Sequence, residues 1–219
     1  MPPSEPPPFS ANHVVGVVLA GGAGRRMGEG PPKPLRMLGG RPLVAHAVAA
    51  LRPSVSTRAI SARDVDRYRF LGLPVIADDV PPSADGRPPG PLAGILAALA
   101  WAKEHAPDAR WLLAAPADTP FLPADLAARL IGAGPGADVV AVARRGGREH
   151  YAVGLWPLAA GPALRRVVVA GGVRSVGDGL RLLGYRAVDW PADGEDPFFN
   201  VNTPADLECA EAILRDRRG

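Results

Sequence analysis

The chain is poor in cysteine, since Cys209 is the only one among its 219 residues. A single cysteine cannot form an intramolecular disulfide, and it cannot provide a zinc site built from cysteine thiolates. Long apolar runs are also lacking, because no stretch reaches the roughly 18 residues that a membrane-spanning helix requires. These absences predict a protein whose fold depends neither on disulfide bonds nor on insertion into a membrane.

Positive charge is neither strong nor clustered. The chain has 25 Lys and Arg residues against 22 Asp and Glu residues, a formal net charge of +3, and the basic residues are scattered along it. A nucleic-acid-binding protein concentrates basic residues on one face or stripe, so no nucleic-acid partner is expected. The mild basic balance is compatible with a small polyanionic substrate.

The first twelve residues lack the features of a secretory signal, because no basic segment precedes an apolar one. Proline dominates this stretch instead. We therefore expect residues 1–12 to form a disordered Pro-rich tail and residues 13–219 to form one domain, which is long enough to bury a core. The same absences favour a cytoplasmic location.

Apolar runs of strand length alternate with stretches of helical periodicity along most of the chain. Strands are predicted at residues 14–19, 58–61, 74–77, 111–115, 138–143, 152–156 and 185–189. Helices are predicted at residues 42–51, 64–71, 92–103, 125–131, 158–170, 176–183 and 203–215. This alternation is typical of a three-layer α/β fold with a mainly parallel sheet, in which ligands bind beyond the carboxyl ends of the strands. Gly21, Asp78 and Asp118 each follow a predicted strand and can converge on one cleft.

A Gly-rich turn, LAGGAGRRMG at residues 19–28, follows the first predicted strand. Glycines let backbone N–H groups approach phosphate oxygens closely, and the guanidinium groups of Arg25 and Arg26 add positive charge. The turn lacks the Gly-Lys-Ser or Gly-Lys-Thr ending of a P-loop, and Met27 stands where a dinucleotide-binding fingerprint needs its third glycine. Together with Lys33, the turn therefore predicts a phosphate site of another type.

Several motifs, in a fixed order, carry a resemblance to a known family. The Gly-rich turn, KPL at residues 33–35 and GRPL at residues 40–43 resemble the signature of the MobA-like nucleotidyltransferases. Two further stretches are similar to the narrower group of molybdenum cofactor guanylyltransferases: PADTPFLP at 116–123 and FFNVNTPADL at 198–207. The stretch GPLAG at 90–94 is also shared. These motifs extend across nearly the whole chain after residue 12.

The resemblance implies a three-layer Rossmann-like nucleotidyltransferase fold and a specific reaction. Members of this group transfer a GMP unit from GTP to the terminal phosphate of molybdopterin and release pyrophosphate, with Mg²⁺ as cofactor. GTP and the molybdopterin cofactor are thus the implied substrates, and molybdoenzyme apoproteins and cofactor-insertion proteins are further implied partners. The acceptor is already an ionised phosphate, so the chemistry needs no strong general base, which fits the lack of an obvious catalytic His or Cys.

The resemblance also implies roles for individual residues. The implied nucleotide-binding set is Leu19, Ala20, Gly21, Gly22, Lys33, Ser61, Asp78 and Asp118. Within it, Lys33 would neutralise the phosphates, Asp78 would bind the base or ribose, and Asp118 would be the Mg²⁺ ligand. Arg26 would stabilise the leaving pyrophosphate, so Arg26, Lys33 and Asp118 form the implied catalytic group.

Other candidates have a second interpretation. The resemblance places Asn200 and Asn202 on the pterin side of the cleft, but asparagines before a helix also serve as caps. Asp78 and Asp118 can likewise be turn or cap residues. His150 stands alone and is more typical of a structural residue than of a metal ligand. Further candidates for contact with the pterin phosphate are Arg144, Arg145, Arg148 and Arg174.

The chain departs from the family pattern at two points. Residues 29–32 separate Gly28 from Lys33 where three residues are expected, and Pro32 replaces the usual acidic residue. Ser61 stands where guanine-using relatives often have an Asn, which leaves the choice of base open. The alternative functions are a molybdopterin cytidylyltransferase, a sugar-phosphate nucleotidyltransferase and a non-catalytic carrier of the finished cofactor.

Overall fold

The structure, a computed structural model, describes residues 10–21, 25–82, 86, 88–133 and 139–217. Most of the predicted tail, and Gly22 of the nucleotide-binding set, lie outside the described residues. The described part begins at Ser10 and continues into a single 3-10 turn at Ala11–His13. None of the helices in these ranges has the length and apolar character needed to cross a bilayer.

Nine strands are present among the described residues. They are β1 (Val14–Leu19), β2 (Met37–Leu38), β3 (Arg41–Pro42), β4 (Thr57–Ser61), β5 (Val75–Ile76), β6 (Trp111–Pro116), β7 (Val140–Arg145), β8 (Arg148–Pro157) and β9 (Tyr185–Trp190). Seven of them form one sheet in the order β5-β4-β1-β6-β8-β7-β9, and β2 pairs with β3 separately. Only β8 runs antiparallel to its neighbours in the large sheet, which confirms the mainly parallel arrangement.

The α-helices of the described residues cover both faces of this sheet. They are α1 (Leu43–Leu51), α2 (Pro91–His105), α3 (Leu126–Gly132), α4 (Gly161–Arg165), α5 (Val176–Leu183) and α6 (Pro204–Asp216). Alternate residues of β1 belong to two different cores: Val18 packs on the side of α1 and α3, and Val17 packs on the side of α2 and α5. Burial on both faces explains the unbroken apolar run of β1 and confirms the three-layer prediction.

Two predicted helices differ from the structure. The stretch at 64–71 forms a shorter 3-10 helix at Asp66–Leu71, which ends at Gly72 with a φ of 64°. The stretch at 158–170 divides into a 3-10 turn at Leu158–Ala160, helix α4 and a π-helical turn at Arg166–Ala170. Pro162 lies in the first turn of α4. Because proline lacks an N–H and is tolerated at a helix start but not in its interior, a new helix begins there.

The connection between the strands predicted at 138–143 and 152–156 is shorter than these bounds imply. Strands β7 and β8 pair as far as Arg145 and Arg148, which reduces the turn to Gly146 and Gly147. Both glycines have a positive φ, 55° and 76°, as a tight two-residue hairpin turn requires. Because this hairpin lies at the carboxyl edge of the parallel strands, the first residues of β8, including Ala152, reach the candidate cleft.

Candidate functional site

Three parallel strands end at the same level of the sheet and form the floor of a cleft. Leu19 of β1 is in register with both Ser61 of β4 and Pro116 of β6. The cleft beyond these strand ends has a volume of about 350 Å³. Its other lining residues include Gly21, Asp78, Gly94, Asp118 and Ala152. The cleft therefore occupies the position at which open parallel sheets bind ligands, and it brings together predicted residues from four segments.

Backbone hydrogen bonds hold the start of the Gly-rich turn against the neighbouring strands. The N–H of Ala20 donates to the carbonyl oxygen of Ser61 at 2.8 Å, and the N–H of Ala117 donates to that of Leu19 at 3.0 Å. Gly21 follows this anchored segment and is exposed, and a Cβ added there would meet no atom within 4 Å. The strand end is thus fixed in place, while space for a ligand remains beside Gly21.

Three predicted catalytic residues and one predicted pterin-side residue meet beyond the end of β6. Lys33 Nζ forms an ion pair with Asp118 Oδ2, and the same nitrogen donates to Asn202 Oδ1 at 2.7 Å. Arg26 Nη2 donates to this oxygen as well, at 3.4 Å. The side chains of Lys33 and Asp118 are only 14% and 19% exposed, so water screens the pair incompletely. Two cations and one carboxylate are therefore concentrated at this end of the cleft.

The segment from Asn200 to Asn202 is bonded to the turn that carries Asp118. The N–H of Val201 donates to the carbonyl oxygen of Asp118 at 2.9 Å. The fully buried hydroxyl of Thr119 donates to Asn200 Oδ1 at 2.6 Å. The amide oxygens of both asparagines thus take part in bonds within the protein, so these residues build one wall of the site.

Helix α6 begins directly after this segment, with Thr203 as its N-cap. Thr203 Oγ1 accepts a hydrogen bond from the N–H of Asp206 at 3.2 Å. In return, Asp206 Oδ2 accepts from the N–H groups of Thr203, at 2.8 Å, and Asn202, at 2.9 Å. Desolvation is the largest single influence on Asp206 and raises its pKa, but these hydrogen bonds and the charge of Lys33 outweigh it, so the pKa is lowered. Asp206 is therefore an ionised acceptor at neutral pH.

Asp78 lines the cleft from the loop that follows β5, and its side chain is 13% exposed. Burial is the main reason why the pKa of Asp78 is raised, and the adjacent Asp79 acts in the same direction. The guanidinium of Arg63, 3.9 Å away, opposes this shift. Backbone N–H groups of Asp78 and Val80 also donate to this carboxylate and lower its pKa. Because a carboxylate has about four acceptor sites and the ion pair is long, Asp78 keeps acceptor capacity for an N–H or O–H group of a ligand.

The oxygen ligands that the cleft offers suit a hard cation that takes most of its ligands from a bound phosphate and from water. Across the described part of the chain, no group of three or more His, Cys, Asp or Glu side chains could hold a metal ion. Asp118 contributes one carboxylate to the cleft. Mg²⁺ is typically bound by one or two carboxylates, with phosphate oxygens and water completing its shell. The residues therefore fit a metal that binds together with a phosphate ligand.

Two of the arginines considered as pterin contacts are engaged elsewhere. Arg144 donates to both carboxylate oxygens of Asp189, at 2.7 and 2.6 Å. Arg145 donates to the four carbonyl oxygens of residues 191–194. Both guanidinium groups therefore stabilise the end of β9 and the loop after it, and the structure does not bring them to Asp118.

Sequence reasoning missed three residues that shape the site. Asp206 could have been found, because a Thr followed three residues later by an acidic residue is the pattern of a capping box. Thr119 gave no local signal, since its partner Asn200 is 81 residues away. Gly94 of α2 was noted only as part of a motif. A Cβ there would overlap the hydroxyl of Ser61, so only glycine lets the helix approach this residue so closely.

Comparison with known proteins identifies the family to which the chain is similar. Residues 16–185 match the family model described as a MobA-like NTP transferase domain. The chain is 48% identical over 206 residues to a molybdenum cofactor guanylyltransferase of Rhodopseudomonas palustris strain BisB5, covering 92% of this chain and 95% of that relative. It is also 48% identical over 203 residues to a molybdenum cofactor guanylyltransferase of Cereibacter sphaeroides, with coverages of 92% and 97%.

Solved structures have the same fold. A molybdopterin-guanine dinucleotide biosynthesis protein A from Archaeoglobus fulgidus gives a TM-score of 0.67 at 26% identity, covering 93% of this chain and 99% of that one. A nucleotidyl transferase from Methanothermobacter gives a TM-score of 0.69 at 21% identity, with coverages of 94% and 99%. By sequence and by fold, this chain belongs to the MobA-like NTP transferase family.

Proposed function

We propose that this protein transfers a GMP unit from GTP to the terminal phosphate of molybdopterin, releasing pyrophosphate and forming the guanine dinucleotide form of the molybdenum cofactor. The names of the similar proteins support this reaction, because the match extends over nearly their full length. The observation that carries the proposal is the network of Lys33, Asp118 and Asn202 beside the strand ends. This network supplies the charges that a triphosphate and its metal require.

The nucleotide occupies the half of the cleft above β1 and β4. In this proposal Leu19, Ala20, Gly21 and Gly22 contact the nucleotide, since glycines let a phosphate approach the backbone closely. Ser61 and Asp78 line the same half and bind the base and ribose. The buried Ser61 offers one hydroxyl, and Asp78 offers a carboxylate that can accept from neighbouring N–H or O–H groups.

The transfer takes place beside Lys33. An oxygen of the acceptor phosphate forms a bond to the α-phosphorus of GTP, the bond from that phosphorus to the bridging oxygen breaks, and pyrophosphate leaves. Lys33 and Arg26 neutralise the negative charge that collects on the departing phosphates, while the fixed strand ends hold the reactants in line. Asp118 is the ligand through which a bound Mg²⁺ would supply further charge neutralisation to the phosphate oxygens.

The acceptor binds on the other side of Asp118, along the wall built by Asn200 and Asn202. Both residues are tied to the Asp118 turn, Asn200 through Thr119 and Asn202 through Lys33. An acceptor phosphate placed against this wall lies next to the cations that bind the triphosphate. We therefore assign Asn200 and Asn202 to the pterin side of the reaction.

The proposal is tested by mixing the purified protein with Mg²⁺, molybdopterin and, in separate reactions, GTP, CTP, ATP or UTP, and by following pyrophosphate release. Release with GTP that depends on molybdopterin is the expected result. Release with CTP alone would identify a cytidylyltransferase. In a parallel reaction with a sugar phosphate in place of molybdopterin, release would identify another acceptor. A protein that binds the finished cofactor but releases no pyrophosphate with any nucleotide is a carrier.

A further inference from the structure

Asp206 makes one contact more than a helix cap requires. Its carboxylate accepts from the N–H of Thr203 at 2.8 Å, the bond that completes the capping box. The same oxygen also accepts from the N–H of Asn202 at 2.9 Å, one residue before the N-cap. This second bond fixes the backbone of Asn202 relative to the first turn of α6.

The backbone of Asn202 matters because its side chain holds two cations. Asn202 Oδ1 accepts from Lys33 Nζ at 2.7 Å and from Arg26 Nη2 at 3.4 Å. A single amide oxygen can serve both only if it stays between them, and its place is set by the backbone that carries it. The charge of Lys33 acts on the Asp206 carboxylate through space. In the described ranges, however, Asp206 forms no hydrogen bond or ion pair with Lys33 or Arg26, so its bonded connection to both cations runs through Asn202.

Helix α6 is a firm base for this arrangement. Its Ala210 is buried in a small core with Met27, Leu43 and Val201, which belong to the segments around the cationic end of the cleft. Glu211 Oε1 also accepts from the N–H of Gly39 at 2.7 Å, between β2 and β3. The first turn of α6 is therefore fixed with respect to the cleft, and the hydrogen bond from the Asn202 N–H to Asp206 fixes Asn202 relative to that turn.

We propose that Asp206 is a positioning residue for nucleotidyl transfer: it holds Asn202 so that the amide oxygen keeps Lys33 and Arg26 beside Asp118. This inference rests on the proposed function and extends it to a residue that touches neither substrate. Its competitor is a purely structural role, in which Asp206 only caps α6.

Two variants separate these roles. Asp206→Ala removes the acceptor for Asn202, whereas Thr203→Ala removes the other half of the capping box and leaves the Asp206 carboxylate in place. Both should lower the thermal unfolding midpoint. Per folded molecule, Asp206→Ala should lower kcat with GTP about tenfold to a hundredfold and weaken binding of a non-hydrolysable GTP analogue, because misplaced charges no longer match the phosphates. Thr203→Ala should keep kcat and analogue binding near the wild-type values, and Asp206→Asn, which retains an acceptor oxygen, should recover most of the activity.

A double-mutant cycle gives the decisive measurement. If Asp206 acts through Asn202, adding Asp206→Ala to Asn202→Ala should change kcat by no more than about twofold. Equal losses in Asp206→Ala and Thr203→Ala, or an undiminished effect of Asp206→Ala without Asn202, would overturn the inference while the proposed function stands. A wild-type protein that shows no GTP-dependent pyrophosphate release would contradict the proposed function instead, and analogue binding would still report whether Asp206 positions the cations.

Discussion

Lys33 Nζ lies 2.7 Å from Asn202 Oδ1, although 169 residues separate the two in the chain. The same nitrogen pairs with Asp118, so a segment after the Gly-rich turn, the end of β6 and the start of α6 meet at one point. Each of these side chains limits where the others can be. The charge of the site is therefore set before any ligand binds, which lowers the reorganisation needed for phosphoryl-type transfer.

Replacement of the carboxylate at the cleft should separate activity from folding. Asp118→Asn should lower kcat with GTP and Mg²⁺ about a hundredfold or more, because a neutral amide is a poor ligand for a hard cation. Its oxygen can still accept from Lys33, so the free energy of unfolding should change by about 1 kcal/mol. Pyrophosphate release and urea unfolding measure the two effects. Wild-type turnover in this variant would remove Asp118 from the mechanism.

The chain offers a matched pair for testing charge at the phosphates, since Lys33 and Lys103 are its only lysines. Lys33→Ala should lower kcat/KM for GTP about a hundredfold, because one preorganised cation next to the phosphates is lost. Lys103→Ala is the control: this lysine is exposed and lines a different groove, between α2 and α4. Steady-state kinetics at fixed molybdopterin should show an effect only for Lys33, and equal losses in both variants would point to a non-specific effect of net charge.

The close approach of Gly94 to Ser61 predicts a coupled effect on nucleotide binding. A Cβ in Gly94→Ala should push the Ser61 hydroxyl from its place in the cleft and weaken binding of a GTP analogue about tenfold, the value of one hydrogen bond. Ser61→Ala should weaken binding equally, and the double variant should lose no more than either. Calorimetric titration measures the affinity of each variant for the GTP analogue. The control is Gly132→Ala, because a Cβ at Gly132 meets nothing within 4 Å. Additive losses would show that the two residues act independently.

His150 should make stability depend on pH. Burial lowers the pKa of His150, helped by Arg148 and Arg145 and opposed by Asp196. The unfolded chain therefore takes up this proton at a higher pH than the folded protein does. The contribution of His150 to the free energy of unfolding is fully present above about pH 6.5, and it is lost as the pH falls from there towards the pKa of the folded state. Urea midpoints at about pH 8 and about pH 5 measure the loss.

The variant His150→Phe keeps a ring against Phe198, which lies 4.8 Å away between ring centroids, but it cannot bind a proton. Its loss of stability between the two pH values should be smaller than that of the wild type. His105→Phe, at an exposed position, should retain the wild-type loss. A His150→Phe protein with an unchanged pH dependence would assign the effect to other groups.

Much of the fold follows from local pattern. The apolar run of β1 marks a strand buried on both faces, and Thr203 with Pro204 marks the start of α6, because burial and capping act over a few neighbouring residues. Boundaries that depend on distant partners were predicted less well. The connection between β7 and β8 is short because the two strands pair almost to their ends. The division of the 158–170 segment has a local cause instead, Pro162 in the first turn of α4, which hydrophobic periodicity alone does not register.

For the site, the sequence by itself determined which chemical groups are present: the Gly-rich turn, Asp78 and Asp118, each next to a predicted strand end, and Lys33, which follows the turn. Strand ends are readable because hydrophobic periodicity reports local burial. Only the tertiary structure decided that Asn202 bridges Lys33 and Arg26 and that Asp206 holds Asn202. These contacts depend on the order in which the strands pair and on where α6 packs, and no local spacing encodes either.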